Sequence, residues 1–289
     1  MKKKILLQID HDDHASTFDS IVAFDSDIDH LLTYSGVTPI QVEPIVHGSI
    51  FTRGPKDLHN TAIFFGGSDV EKTAELFEQA KKCFFGPLQV SMMVDPNGSN
   101  TTAVAAVLCA QKHVELEGQK VVVLAATGPV GQRISTLTAS ARAQVTVCSR
   151  SLERAAKVCD KIGKKTGTTL TPAEAGVPLQ AAQQIESADI VFAAGAAGIE
   201  LLDENWMSKN TNIKLALDIN AVPPVGIAGI EVTDNAKTRG SITCYGAIGI
   251  GQLKMTIHKA CIARLFQTND IHLDTDEIFK IGLELIQPN

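Results

Sequence analysis

The sequence predicts an α/β protein of two lobes, each built on a parallel sheet. Three observations carry this. Short apolar runs alternate with longer segments of near-3.6 periodicity along most of the chain, the pattern of parallel strands covered on both faces by helices. A chain of 289 residues is long enough to bury two cores. The most apolar run, at 120–125, leads into a glycine-bearing turn and another helical pattern, a natural start for a second lobe.

Taken in order, strands are expected at 4–9, 61–65, 88–94, 120–125, 144–148, 189–193 and 214–218. Between them the spacing predicts helices. Over 69–82, Val70, Ala74, Phe77 and Ala80 share a face, and Ser68 with Glu71 reads as a capping box. A helix starting near Asn100 ends at Glu115-Leu116-Glu117-Gly118-Gln119, the candidate boundary between lobes. The stretch 246–266 reads as one long helix that returns to the first lobe. The expected division is therefore 1–116, with the return of 250–289, and 117–249.

Composition narrows the function classes. Apolar residues make up 44% and charged residues 20%, and 26 basic against 32 acidic side chains give a net charge of −6. That excludes a disordered tail, a collagen-like chain and a basic nucleic-acid-binding surface. With 11 Phe, 2 Tyr and 1 Trp, a single-strand binder built on stacked rings is not expected either. Met1-Lys2-Lys3-Lys4 resembles the start of a secretory signal, but Gln8 and Asp10 interrupt the apolar run Ile5-Leu6-Leu7 that follows. No window supplies the roughly 18 apolar residues of a membrane helix. The six cysteines lie far apart without a Cys-x-x-Cys pair and read as reduced core thiols, with no metal site. The expectation is a cytoplasmic protein with no membrane or nucleic-acid partner.

The strongest local signal is Val121-Val122-Val123-Leu124-Ala125-Ala126-Thr127-Gly128-Pro129-Val130-Gly131. A strand, a glycine turn and a helix follow one another, as in the Rossmann fingerprint G-x-G-x-x-G, with Ala126 in place of the first glycine. Gly128 admits close approach of a pyrophosphate, Gly131 admits close helix–strand packing, and the helix amino end offers N–H groups to phosphate oxygens. Thr127, Gly128, Pro129, Val130 and Gly131 are the expected dinucleotide contacts. A carboxylate about 20 residues after the turn would hold the ribose hydroxyls of NAD. That window here reads Cys148-Ser149-Arg150-Ser151, with no acid. Arg150, with Ser149 beside it and Arg154 one helical turn on, is suited to a 2′-phosphate, so NADP is the expected cofactor. A solvated cap of the next helix is the other reading of Arg150. The apolar strand at 189–193 ends in Ala194-Gly195, small enough to lie against a nicotinamide ribose, or a plain strand end.

Two polar clusters stand where such enzymes keep their chemistry. Asp95-Pro96-Asn97-Gly98-Ser99-Asn100-Thr101-Thr102 reads equally as a turn with a helix cap and as a set of hydrogen-bonding groups for a polar heterocycle. In the latter case Asp95, Asn97, Ser99, Asn100 and Thr102 are the substrate contacts. In Asp218-Ile219-Asn220-Ala221-Val222-Pro223-Pro224, Asp218 and Asn220 end a buried strand before a proline-stiffened wall, with Asn220 a candidate for both ligands. His11-Asp12-Asp13-His14 looks metal-like but reads as a solvated loop, since sequential ligands rarely converge on one ion. A G-x-S-x-G elbow and a G-x-x-x-x-G-K-[ST] phosphate loop are both absent.

Taken together, these segments resemble the NADP-dependent methylene-tetrahydromethanopterin dehydrogenases of methylotrophic and related bacteria. The resemblance spans nearly the whole chain. It is carried by Ser16-Thr17-Phe18-Asp19, Phe51-Thr52-Arg53-Gly54, Thr61-Ala62-Ile63-Phe64-Phe65-Gly66-Gly67, the Asp95–Thr102 cluster, Thr127 to Gly131, Asp218 to Pro224, and Gly246-Ala247-Ile248-Gly249-Ile250-Gly251 with Lys254. It implies an N-terminal pterin-side domain, a Rossmann domain and a homo-oligomer, a trimer by resemblance, with the pterin held against the nicotinamide between the lobes. The implied reaction, part of formaldehyde oxidation in one-carbon metabolism, moves a hydride from the methylene bridge of tetrahydromethanopterin, and in some members tetrahydrofolate, to NADP. The product is a methenyl cation, so the protein's task is orientation and tolerance of positive charge. Asp19 could supply that field and Lys254 could hold it, unless the two form a structural ion pair or are simply solvated. Folate dehydrogenase–cyclohydrolases of similar layout carry a Tyr-x-x-x-Lys pair. Here Tyr34 is followed four residues on by Thr38 and Tyr245 by Gly249, so dehydrogenase activity without cyclohydrolase activity is expected. Two alternatives stay open: another NADP oxidoreductase of this layout, of shikimate or amino-acid type, and a nucleotide sensor without turnover.

Overall fold

The computed structural model describes residues 2–210 and 212–287. These fall into two units. One holds the described residues up to Thr101 together with Met255–Gln287, and the other is Thr102–Lys254.

The first unit begins with β1 (Ile5–Ile9), α1 (Thr17–Phe24), β2 (His30–Tyr34), α2 (Pro39–Ile50), β3 (Thr61–Phe65), α3 (Val70–Lys81) and β4 (Ser91–Val94), followed by the start of α4 (Ser99–Gln111). Its five strands, counting the two-residue β12 (His272–Leu273) supplied by the C-terminal segment, are all parallel in the order β12-β4-β3-β1-β2. Thr61–Phe65 is buried at every position, as a strand covered on both faces must be. The core beneath it joins Leu7, Ile9 and Ile63 to Val42, Val46 and Ile50 of α2 and Leu76 and Phe77 of α3. α10 (Thr275–Ile286) ends the unit.

The second unit contains β5 (Lys120–Leu124), α5 (Pro129–Ser140), β6 (Gln144–Ser149), α6 (Leu152–Thr166), β7 (Thr171–Glu174), α7 (Pro178–Gln184), β8 (Ile190–Ala193), α8 (Trp206–Lys209), β9 (Leu215–Asp218), β10 (Lys237–Arg239), β11 (Ile242–Tyr245) and the start of α9 (Ala247–Arg264). The sheet order is β10-β11-β9-β8-β5-β6-β7, parallel throughout except for the β10–β11 hairpin. The chain works outward from β5 on one side and then, from β8, on the other. That places a topological switch at the β5–β8 pair, where open α/β sheets bind ligands beyond the strand C-termini.

The seven predicted strands are present with small changes of boundary, and the α/β class of the sequence reading is the observed one. Two local expectations are corrected. Ser68 and Glu71 do not form a capping box: Asp69 is the N-cap of α3 and its carboxylate accepts from the N–H groups of Glu71 and Lys72, while the Ser68 hydroxyl donates to Asp12. The strand expected at 88–94 is regular only over Ser91–Val94, because Leu88 is bridged to Phe85 in a tight turn. The division into compact units falls within α4 and α9, at Thr101–Thr102 and Lys254–Met255. α4 is buried from Ala103 to Ala110, so its small apolar residues face protein on all sides.

The glycine run ahead of Lys254 has a packing cause. A Cβ on Gly246 would lie 2.0 Å from the carbonyl oxygen of Glu231, and one on Gly249 would lie 2.0 Å from that of Asp234. The first turn of α9 therefore lies directly on the 231–235 backbone, tied there by Gly246 N–H donating to Asp234 O (2.8 Å) and Ile248 N–H to Val232 O (2.8 Å).

All six cysteines are buried and without disulfide partners, and burial pushes the thiols of Cys109 and Cys148 up to about 11 and about 12. Such thiols stay protonated and unreactive near neutral pH. No helix among the described residues is long and apolar enough to cross a membrane.

Candidate functional site

The second unit carries a cavity of about 420 Å³ at the C-terminal ends of β5, β6, β7 and β8, beside the topological switch. The residues that shape it follow from the local sequence. β5 ends at Leu124, and the turn is made by Ala125, a non-glycine residue at φ +53°. Ala126, in the position of the fingerprint's first glycine, does not take a positive φ and is fully buried. The alanine is tolerated because the left-handed residue sits one place earlier.

Gly128 and Gly131 are glycines for different reasons. A Cβ on Gly131 would lie 2.6 Å from the Cα of Ala126, so only glycine lets α5 pack against the end of β5. At Gly128 the backbone is ordinary (φ −75°), and a Cβ would meet nothing nearer than the Ala125 carbonyl at 3.9 Å. The protein's own packing does not demand glycine there. What a bare Cα opens is the approach of a ligand from the cavity side. Gly128 is also the N-cap of α5 without a side-chain cap and lines the cavity, so the N–H groups of Val130 and Gly131, which follow the N–H-less Pro129, are left without a capping partner beside it. These features fit a dinucleotide pyrophosphate.

At the end of β6, Ser149 is buried and its hydroxyl accepts from Ser151 N–H, while Ser151 caps α6 by accepting from Arg154 N–H. This Ser-x-Ser turn sends Arg150 and Arg154 into the cavity wall. Both side chains are exposed; among the described residues neither guanidinium forms a salt bridge, Arg154 having the exposed, sequence-adjacent Glu153 as a charged neighbour. Of the residues expected to hold cofactor, Thr127, Gly128, Ser149, Arg150, Arg154, Ala194 and Gly195 line this one cavity. Pro129, Val130 and Gly131 form the first turn of α5 beside it. Asn220 is not in the lining. It is buried and donates from Nδ2 to the carbonyls of Ala196 (3.4 Å) and Pro224 (3.3 Å), bracing the loop after β8.

Sequence reasoning missed the wall formed by Ala175, Gly176 and Val177 after β7. That strand contains Pro172 and reads as a loop, yet proline is acceptable there because β7 is the sheet edge. The segment 199–201 was also missed, including the acidic Glu200.

The two polar clusters turn out to be largely occupied in holding backbone. Asp95 is fully buried; Oδ1 accepts from Asn100 N–H (2.8 Å) and Thr101 N–H (3.3 Å), and Oδ2 accepts from the Thr101 hydroxyl (2.6 Å). Asn100 donates from Nδ2 to Val94 O and accepts from the Thr275 hydroxyl, and the Ser99 hydroxyl donates to Pro96 O. Asn97, at φ +51°, is the exposed tip of this turn, and Thr102 is half-buried. Asp95→Ala is accordingly expected to destabilise the fold by about 2–3 kcal/mol in urea unfolding, since it leaves buried N–H donors without a partner. A loss below about 0.5 kcal/mol would return Asp95 to a purely ligand-facing role.

Asp218 behaves similarly. Burial raises its carboxyl above the usual range, opposed by N–H groups of the 220–227 loop, of which Asn220 donates to Oδ1 and Ile227 to Oδ2. Gly226 is bare because a Cβ would lie 2.8 Å from Asp218 Oδ1. In the first unit, Asp19 is buried in the first turn of α1, whose N-cap Ser16 accepts from Asp19 N–H. In the second, Lys254 is the last residue, half-buried on α9. The 11–14 loop is tied to the start of α3: Asp12 accepts from Ser68, and His11 Nε2 accepts from Asp69 N–H.

Residues 17–97 match the family described as methylene-tetrahydromethanopterin dehydrogenase, N-terminal, and residues 108–236 match shikimate/quinate 5-dehydrogenase. The chain is 43% identical over 287 residues to the bifunctional protein MdtA of Methylorubrum extorquens, covering 99% of this chain and 100% of that one. It is 30% identical over 295 residues, 99% of each chain, to the NAD(P)-dependent methylenetetrahydromethanopterin dehydrogenase of the same organism. The chain belongs to the methylene-tetrahydromethanopterin dehydrogenase family. Among solved structures, the 5-ketofructose reductase of Gluconobacter sp. strain CHM43 superposes with a TM-score of 0.57 at 13% identity, covering 99% of each chain. The NAD complex of quinate dehydrogenase from Corynebacterium glutamicum gives 0.54 at 14% identity, covering 98% of this chain and 99% of that one. At that distance the two structures speak only to the fold that the family shares with them.

Proposed function

We propose that this chain oxidises methylene-tetrahydromethanopterin to the methenyl form with NADP as hydride acceptor. The observation that carries the cofactor half is the end of β6. There Arg150 and Arg154 line the cavity without a salt bridge among the described residues, and 148–151 carries no acid where an NAD site would place a carboxylate. Family membership supports the substrate half, since both curated relatives extend over the whole chain. When bound, NADP supplies the electrophilic nicotinamide carbon that takes the hydride.

The residues of the second unit do the remaining work of that half. Ser149, Arg150 and Arg154 hold the 2′-phosphate, the first turn of α5 receives the pyrophosphate, and the small residues Ala194 and Gly195 leave space beside the nicotinamide ribose. No proton moves in the step, so the protein supplies alignment and a field that tolerates the growing cation. Asp19, a buried side chain of the first unit, is proposed for that field, and Lys254 is a separate candidate in the second unit. Of the 95–102 cluster, Asn97 is the exposed side chain proposed to contact the pterin, with Thr102 a further candidate, while Asp95, Ser99 and Asn100 hold the turn. Asp218 and Asn220 act through the shape of the 219–227 loop. Activity on methylene-tetrahydrofolate, assembly as a homo-oligomer and a cytoplasmic location belong to the same proposal, as does the assignment of the pterin to the N-terminal domain.

The experiment is NADP reduction followed by absorbance at the reduced nicotinamide band. Methylene-tetrahydromethanopterin, methylene-tetrahydrofolate, shikimate, quinate and amino acids are each offered as substrate. Turnover with a methylene-pterin alone is expected; turnover with shikimate or quinate instead would replace the proposal with the shikimate-type reading, and binding of NADP without turnover would favour a sensor. In the same assay Asp19→Asn and Lys254→Ala should each lower kcat about ten- to a hundred-fold with the NADP dissociation constant changed less than about twofold. Wild-type kinetics in both variants would remove these two residues from the mechanism.

A further inference from the structure

The cavity contains one group that NADP binding does not ask for. Glu200 lines it together with Arg150 and Arg154. The carboxylate is exposed, and among the described residues it forms no ion pair, so it is present neither to neutralise a guanidinium by contact nor to brace the fold. Its backbone is nonetheless held. The next residues, Leu201 and Leu202, donate their N–H groups to Gly226 O (2.8 and 3.1 Å), Ala196 O accepts from Asn220 Nδ2, and Leu201 packs 3.1 Å from where a Cβ on Gly195 would be. Glu200 thus stands at a set place on the cavity wall.

We propose that Glu200 sets how strongly this site prefers NADP over NAD, by adding one negative charge to a cavity that the two arginines make positive. The inference rests on the reading of this cavity as the NADP site. Arg150 follows β6 and Glu200 follows β8, the strands on either side of β5, so at a strand spacing of about 4.8 Å their strand ends stand roughly 10 Å apart, well inside the Debye length of about 30 Å at 0.01 M salt. At low salt a 2′-phosphate gripped by Arg150 therefore feels the Glu200 carboxylate across the cavity. NAD and NADP share the pyrophosphate, and its repulsion by Glu200 is common to both. The 2′-phosphate is the difference between them, and its nearly two charges make the penalty selective. Arg150 and Arg154 raise the preference for NADP and Glu200 lowers it, so that NAD remains within the range of the site.

The test is titration of NADP and of NAD into the full-length protein and its Glu200→Gln and Arg150→Ala variants, at low salt and at 1 M NaCl. Glu200→Gln should tighten NADP roughly threefold to tenfold at low salt and NAD by less than about twofold. The gain should shrink at 1 M NaCl, where the Debye length is about 3 Å. Glu200→Lys should carry the ratio further in the same direction. An unchanged or lowered NADP-to-NAD preference in Glu200→Gln, or a gain that persists in high salt, overturns the inference. Arg150→Ala separates this from failure of the underlying reading. If it leaves NADP affinity intact, the cavity is not the 2′-phosphate site and both fall. If it weakens NADP while Glu200→Gln shifts both nucleotides equally, the inference alone falls.

Discussion

Arg150→Ala is expected to weaken NADP binding about ten- to a hundred-fold, or about 1.5–3 kcal/mol, while changing NAD binding by no more than about twofold. The size follows from the kind of contact. A guanidinium on a phosphate dianion makes charge-assisted hydrogen bonds; the Ser149 and Ser151 hydroxyls accept from backbone N–H groups and keep an O–H to donate, but neutral hydroxyls do not replace the lost charge. Arg154 remains in the variant and keeps part of the positive potential, which limits the loss to the lower decades. The exposed position of Arg150 means the fold should be untouched, so the thermal midpoint serves as a control. Equal losses for NADP and NAD would instead place Arg150 against the part of the molecule the two share, such as adenine.

Gly246→Ala is expected to cost about 3 kcal/mol or more in stability, the largest effect of any single methyl group considered in this protein. Its Cβ would sit 2.0 Å from the Glu231 carbonyl oxygen and 2.7 Å from the Val232 carbonyl group, all backbone atoms that move only if the start of α9 lifts away. Lifting it breaks the Gly246–Asp234 and Ile248–Val232 hydrogen bonds that seat the helix. Gly251 is the internal comparison. It lies in the same glycine run on the same helix, but a Cβ there meets nothing within 4 Å. Gly251→Ala should be neutral or stabilising by up to about 1 kcal/mol, because alanine is the better helix former. Urea unfolding of the pair reads the contrast, and similar midpoints for both would contradict the close approach.

The strands with continuous apolar runs were legible because burial on both faces leaves no other composition open to them: residues 62–65 and 121–124 are of this kind. β2 was not, since it lies at a sheet edge with four of its five residues exposed and shows no clean pattern. β7 was hidden by Pro172, and β12 is only two residues long, its place fixed by pairing with β4 at a sequence separation no local signal reports. The cofactor side of the site was legible because its chemistry is local: a strand end, a turn and a helix start carry Thr127, Gly128, Ser149, Arg150 and Arg154 in short contiguous motifs. The roles within the 95–102 and 218–224 clusters were not. Asp95 and Asp218 are carboxylates at strand ends in either reading, and only their hydrogen-bond partners show that they hold backbone. Glu200 escaped for the opposite reason. It belongs to no motif and becomes noticeable only when the loop after β8 brings it to the same cavity as the arginines.

The central claim, direct hydride transfer from a methylene-pterin to NADP, is tested most directly by isotope. Tetrahydromethanopterin charged with dideuterated formaldehyde carries both deuterons on the bridging carbon. Incubated with this protein and NADP in ordinary water, it should yield reduced cofactor bearing one deuterium per turnover, with the other retained on the methenyl product. Reduced cofactor carrying only hydrogen from solvent, or no reduction with this substrate, would contradict the account.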